Sequence, residues 1–313
     1  MTTTPPALAI NNLRKRYGDV EAVKGVSFTI DKGDFFGFIG PNGAGKTTTI
    51  KSIVGLLNFT GTIKVFGHDV ITDYREARRR IGLSPQEFNF DRFLTVEEEL
   101  SYTAGYYGIP RREAQRRITQ LLKRFKLTDK RTKRTENLSG GMKRRAIIAR
   151  ALIHEPDILI LDEPTAGLDV ELRRELWTEL SRINKAGTTI ILTTHYIEEV
   201  EMLCNKVGII NKGKLIAFDE KERIMEELGN ETLVLHTAKP IPKRILDGVD
   251  AYIEVEGKRT RFTGKGMKQK AKALILRVEK STPIEEIDMQ RESLENIFVR
   301  MTTEGTAHPE GKS

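Results

Sequence analysis

The sequence has little cysteine and little tryptophan, with one of each in 313 residues, Cys204 and Trp177. A single thiol cannot close a disulfide within the chain or build a Cys-based zinc site, and this fits a reducing compartment such as the cytosol. Long apolar runs are also missing. A membrane-spanning helix needs roughly 18 or more apolar residues, whereas the most apolar stretches, around residues 158–161 and 189–192, suit buried strands. The start, Met1 to Ala7, has neither the basic opening nor the apolar core of a secretory signal. A function at a membrane is therefore expected to need a second chain that supplies the membrane part.

What is present is an ordinary globular balance, with 38% hydrophobic and 31% charged residues, which excludes collagen-like and broadly disordered chains. The length favours two domains over one. The net charge of +8 is uneven. Residues 111–150 hold 15 Lys/Arg against 3 Asp/Glu, while the rest of the chain holds 37 against 41. Such a segment is either a solvated helical surface or a surface that meets nucleic acid or anionic lipid. Phe125 is its only aromatic residue, which argues against single-stranded nucleic acid, whose bases need stacking partners.

The pattern along the chain predicts strands at 7–12, 25–30, 35–39 and 62–66, and a helix at 46–57. Residues 94–152 read as mostly helical, with Thr95 and Glu98 as a capping box and a basic amphipathic helix over 111–125. Strand, helix and strand follow at 158–161, 170–185 and 188–192, then a helix at 198–204, a strand at 206–210 and a hairpin-type turn at 211–214. Beyond about residue 229 the composition shifts. Short β-like runs at 232–237, 251–256 and 273–279 precede a closing helix over 291–301, and residues 302–313 read as a mobile tail.

Two motifs carry chemistry. Gly40-Pro41-Asn42-Gly43-Ala44-Gly45-Lys46-Thr47 matches the phosphate-loop pattern in full, between a buried strand and a helix. Its glycines allow backbone N–H groups to turn onto phosphate oxygens, and the helix start adds its positive end. Lys46 supplies a full charge for the β/γ phosphates, and Thr47 a hydroxyl for Mg²⁺. The second motif is the apolar run 158–161 followed by Asp162 and Glu163. A buried strand delivers both acids at its C-terminal end, where open α/β sheets bind ligands. Asp162 is placed to hold Mg²⁺, and Glu163 to polarise an attacking water.

Further segments complete a resemblance. Leu138-Ser139-Gly140-Gly141-Met142-Lys143-Arg144-Arg145 resembles the signature sequence of ATP-binding cassette (ABC) ATPases. The stretch from Glu163 through Asp169 looks like that family's D-loop segment, Thr193-Thr194-His195 its switch histidine, Gln86 its Q-loop and Tyr17 its adenine-stacking aromatic. The match spans roughly residues 7–220. Gly-Gly-Met-Lys-Arg-Arg with an extra C-terminal segment resembles the nucleotide-binding subunits of ABC-2 type exporters, the multidrug, nodulation and polysaccharide export group. Met142 departs from the broad family, which most often has Gln there.

The resemblance implies an α/β cassette over residues 1–228: a RecA-like P-loop core, an antiparallel β subdomain and a helical signature subdomain at about 88–150. It leaves residues 229–313 as a small α+β accessory or dimerisation domain. It implies ATP bound by Tyr17, by Gly40 to Thr48 (Gly40, Pro41, Asn42, Gly43, Ala44, Gly45, Lys46, Thr47 and Thr48), and by Ser139, Gly140, Gly141 and Asp169. Mg²⁺ would be held by Thr47, Gln86 and Asp162, and hydrolysis carried by Glu163, His195, Gln86 and Lys46. The implied partners are a second copy, head to tail, and a separate ABC-2 type permease that keeps the subunit on the inner face of the cell membrane.

A soluble cassette ATPase acting on nucleic acid or ribosomes is the alternative, and an ATP-binding regulator a third reading. A single signature set, and about 115 residues between Lys46 and Asp162, disfavour the first of these. Intact Glu163 and His195 disfavour the second. Trp177 and Cys204 read as core, His68 and His154 as carrying no metal, and Phe88, Phe90 and Phe93 as either core or a docking surface.

Overall fold

The protein is described by a computed structural model covering residues 5–304. The tail expected to be mobile and the first four residues of the chain's start lie largely or wholly outside the described residues. Contacts separate a unit ending at Lys221 from one beginning at Glu222.

The first unit opens on a hairpin of β1 (Leu8–Tyr17) and β2 (Val20–Ile30), followed by β3 (Phe35–Ile39) and α1 (Lys46–Ile53). Next come β4 (Thr60–Val65), β5 (His68–Asp69), α2 (Tyr74–Arg79) and β6 (Ile81–Ser84). Three helices follow, α3 (Val96–Tyr106), α4 (Arg111–Arg124) and α5 (Gly140–Leu152). Then β7 (Ile158–Asp162), α6 (Val170–Lys185), β8 (Thr189–Thr194), α7 (Ile197–Leu203), β9 (Lys206–Asn211) and β10 (Lys214–Glu220) complete the unit.

These strands form two sheets. One is antiparallel, in the order β2-β1-β4-β5; the other has the order β10-β9-β3-β8-β7-β6, parallel except for the β9–β10 hairpin. Strands β3, β7 and β8 are buried at every position, which is why they read as unbroken apolar or Thr-containing runs rather than alternating ones. The sheets share a core in which Phe28 of β2 packs on Phe36 and Phe38 of β3, with ring centroids 5.3 and 5.7 Å apart.

Three sequence expectations change here. The first hairpin is longer than residues 7–12 and 25–30. Register shifts between Ile10 and Arg14, with Asn12 at a positive φ, break the alternation that the eye follows. Helix α1 stops at Ile53 because Gly55 takes a left-handed φ of 68°, and the Leu56 N–H reaches back to the Lys51 carbonyl at 2.9 Å, closing the helix. Phe88 and Phe93 are exposed, so they are not core.

Helix α3 carries the expected capping box, Thr95 with Glu98, and α4 buries Ala114, Ile118, Leu121 and Leu122. Much of the basic charge of this region is neutralised locally. Arg117 pairs with Glu113 and Glu155, Arg124 with Glu179, Lys126 with Glu175, Arg131 with Glu97, and Arg150 with Glu99.

Helix α8 (Lys221–Leu228) leads into the second unit, which holds β11 (Glu231–Thr237), α9 (Lys243–Leu246), β12 (Tyr252–Glu256), β13 (Arg259–Gly264), α10 (Met267–Glu279), β14 (Ile284–Arg291) and α11 (Leu294–Glu304). The expected boundary at 228 moves to 221 because second-unit side chains bind the end of α8. Lys265 donates to the Glu227 carbonyl at 3.1 Å and Arg300 to the Leu228 carbonyl at 2.5 Å.

The sheet of this unit runs β12-β13-β11-β14. Residues 273–279 are helix, not strand. Met267, Ala271, Leu274 and Val278 recur at helical spacing and pack on Leu233, Leu235 and Phe262 of the sheet. The strand pairing beside β11 is instead β14, a mostly exposed edge whose Ile-Glu-Glu-Ile-Asp pattern hides its role.

Candidate nucleotide site

The parallel sheet brings the two chemical motifs together by register. Ile39 of β3 lies opposite Thr194 of β8, and Thr193 lies opposite Asp162 of β7. Three strand ends therefore deliver Gly40, Asp162 with Glu163, and His195 to one edge, the ligand-binding edge of such sheets.

Within the phosphate loop, Gly43 and Gly45 have φ values of 78° and 112°. A Cβ at Gly40 would lie 2.3 Å from the Ile210 carbonyl oxygen, and one at Gly45 2.8 Å from that of Ala22. The loop is thus pressed against β2 and β9 and tolerates no side chain at these points. Gly45 caps α1 without a side-chain hydrogen bond, so the first-turn N–H groups are not taken up by a capping side chain, as an anion cradle requires. Lys46 is buried and donates to the carbonyls of Gly40 at 2.6 Å and Pro41 at 3.3 Å. Burial lowers its pKa, while Glu163 and Asp162 pull it back up.

Both acids of the second motif are buried. Asp162 accepts from the Thr47 hydroxyl at 3.4 Å and from the Thr193 hydroxyl. Glu163 has a left-handed φ of 52°, is held by its N–H to the Thr193 carbonyl at 3.0 Å, and meets His195 Nδ1 through Oε2 at 2.5 Å. The contact holds a buried carboxylate and an imidazole together at the strand ends. The cleft in front of them is lined by Ala22, Asn42, Gly43, Ala44, Gly45, Lys46, Thr47, Thr48, Gln86 and Glu163.

Other expected residues stand apart from this cleft. Tyr17 ends β1, half exposed, with the Lys15 ammonium 4.9 Å from its ring centre. Ser139 caps α5 by accepting from the Met142 N–H at 3.3 Å, and Gly140 and Gly141 form that helix's first turn. Asp169 caps α6 by accepting from the Leu172 N–H at 2.8 Å. None of these five lines the cleft.

Residues 23–166 match the family described as ABC transporter. The chain is 37% identical over 296 residues to the Nod factor export ATP-binding protein I of Burkholderia lata, covering 93% of this chain and 95% of that one. The chain belongs to the ABC transporter family. It is also 39% identical to the linearmycin resistance ATP-binding protein LnrL of Bacillus subtilis, over 79% of this chain and 80% of that one. A solved ATP-binding subunit of an ABC transporter superposes with a TM-score of 0.65 at 32% identity, over 70% of this chain and 91% of that one. A dimeric cassette in a post-hydrolysis state with ADP and Pi superposes with a TM-score of 0.62 at 27% identity, over 68% of this chain and 98% of that one.

As an ABC ATPase the chain binds and hydrolyses ATP, and its residues fit that substrate: an uncapped helix start, a desolvated lysine and a buried acid beside a hydroxyl. Sequence reading passed over several supporting residues. Thr193 holds Asp162, the Ala22 carbonyl backs the phosphate loop, and Arg144 of α5 is buried with its guanidinium on the carbonyls of Pro85 and Gln86, each at 3.0 Å. Thr193 had a signal, its place in the strand that ends on His195. Arg144 had none, because one arginine in a basic run shows no sign of burial.

Proposed function

We propose that this ABC ATPase is the motor of an exporter, working as a head-to-tail homodimer on a separate ABC-2 type permease at the inner face of the cell membrane. The observation that carries the reading is the Glu163–His195 pair at 2.5 Å above an intact phosphate loop. A regulator that only binds ATP has no need of an oriented base. Lys46 and the N–H groups of the loop hold the phosphates. Thr47, Asp162 and Gln86 are oxygen donors suited to Mg²⁺, which when bound would neutralise phosphate charge. Glu163 takes the proton of the attacking water, and His195 holds Glu163 in place. Positioning and charge stabilisation supply the rest of the acceleration.

The second copy is supported by the signature residues. Ser139, Gly140 and Gly141 form a second helix start, outside the chain's own cleft, and such a start is a ready anion site for the other copy's γ-phosphate. Asp169 begins the helix after the D-loop and would face the same junction. Tyr17 supplies a ring at a strand end for the adenine. The unit from Glu222 onward holds none of these residues and is assigned to self-association.

Export is supported by the Nod factor and linearmycin relatives. No helix among the described residues is long and apolar enough to cross a membrane, so the permease would be another chain. The pairing of basic α4 and its neighbours with acids argues against a nucleic-acid partner. Affinity purification of the full chain from native membranes tests the function. Recovery of a hydrophobic permease with ATP-stimulated retention is expected, and recovery of ribosomes or RNA instead would overturn the reading.

A further inference from the structure

We infer that Glu199 is a positioning residue for the Glu163–His195 pair: from α7, its buried carboxyl clamps the segment that follows Glu163 to the segment that carries His195. The inference rests on the reading of Glu163 and His195 as the hydrolytic pair. Glu199 is 0% exposed and lies between Ile197 and Val200 on the buried face of α7, where an apolar residue would satisfy packing. Its carboxyl instead accepts from the hydroxyl of Thr165, itself buried, two residues beyond Glu163. Its backbone N–H bonds the Tyr196 carbonyl at 3.1 Å, directly after His195.

The two tethered segments are tight turns. Ala166 N–H reaches the Glu163 carbonyl at 3.3 Å, and Leu168 N–H reaches that of Thr165 at 3.0 Å. On the other side, Tyr196 N–H bonds the Thr194 hydroxyl at 2.9 Å. A shift at Thr165 is therefore passed to the left-handed backbone of Glu163, and a shift of α7 to His195. The 2.5 Å contact between Glu163 and His195 survives only if both segments keep their relative place.

The site is also under-satisfied. Glu199 Oε2 and Arg173 Nε are buried without a well-formed hydrogen bond, the Trp177 indole and the Thr194 hydroxyl lie close enough to act on the Glu199 carboxyl, and Arg173 stacks 4.4 Å over the Tyr196 ring. Burial pushes the Glu199 carboxyl up, against the pull of the Thr165 and Thr194 hydroxyls, the Trp177 indole and the Arg173 charge. Buried groups left short of partners are unfavourable for stability.

The test uses the full chain with Glu199→Leu, Glu199→Gln, Thr165→Val and the Leu/Val double variant, reading kcat, the ATP dissociation constant and thermal unfolding. Misplacement of a catalytic group by about 1 Å can lower a rate by about 100-fold. Glu199→Leu and Thr165→Val are expected to lower kcat about 10- to 100-fold with ATP affinity unchanged. Glu199→Gln, which keeps an acceptor for the Thr165 hydroxyl, should restore kcat toward the parent. The double variant should be no worse than the worse single, because both remove one bond.

If Glu199→Leu does not fold, Thr165→Val carries the test. Parent-like kcat in a folded Glu199→Leu or Thr165→Val chain, no recovery in Glu199→Gln, or additive losses would overturn the inference. Glu163→Gln is measured alongside. Parent-like turnover there would refute the underlying pair, whereas a slow Glu163→Gln chain beside a parent-like Glu199→Leu chain would refute Glu199 alone.

Discussion

Replacing Glu163 by Gln isolates one function of the site. The substitution keeps side-chain length, and Gln can adopt the left-handed φ of 52° about as readily as Glu. The amide can also stay within reach of His195, now 2.5 Å from the carboxylate. What disappears is the proton acceptor. A positioned general base is worth about 10²–10⁴-fold, or about 3–5 kcal/mol of barrier. ATP affinity should hold or improve. The carboxylate lines the cleft, so its charge opposes the incoming phosphates, and Lys46 keeps Asp162 as a second favourable carboxylate. Phosphate release should fall at least about 100-fold, equilibrium ATP titration should change little, and size exclusion with ATP should show an accumulating dimer. Turnover within about tenfold of the parent would remove Glu163 from the mechanism.

Tyr17→Ala should weaken ATP binding by about 1–3 kcal/mol, the range seen on losing a stacked base, with little change in base preference; an unchanged dissociation constant refutes the stacking. His154 stacks on Tyr107 with centroids 3.7 Å apart, and burial lowers its pKa from 6.5 to about 4. The unfolded chain therefore binds the extra proton first, and stability falls as pH drops from about 6.5 to about 4. The loss reaches up to about 2 kcal/mol by pH 5. Urea unfolding at pH 7 and pH 5 should show a shallower loss for His154→Gln, and equal losses refute the assignment. A subunit with Lys46→Ala mixed with one carrying Ser139→Arg should recover nucleotide-dependent trapping of mixed dimers, because a trans site concentrates both lesions in one of two sites. Mixed dimers without trapping or ATPase activity refute the trans role of Ser139.

Legibility followed the range of the interactions. The phosphate loop, the apolar strand ending on Asp162 and Glu163, and the capping box at Thr95 are local patterns, in which spacing and residue type are enough. The second unit was harder. Residues 267–279 carry helical spacing only when Met267 and Ala271 are read with Leu274 and Val278, and β14 is an exposed edge with little apolar signal. The hairpin β1–β2 was cut short by its irregular register.

The sequence by itself determined the chemical inventory, an anion loop, a pair of acids, a histidine and a second helix start, because each depends on neighbours within a few residues. Only the tertiary structure decided that these meet. Strand register sets Thr193 on Asp162 and His195 on Glu163. Close packing leaves Gly40 and Gly45 no room for a side chain, and burial turns Glu199 and Arg144 from ordinary charged residues into supports for the site. These properties arise between segments far apart in the chain, where no spacing rule reaches.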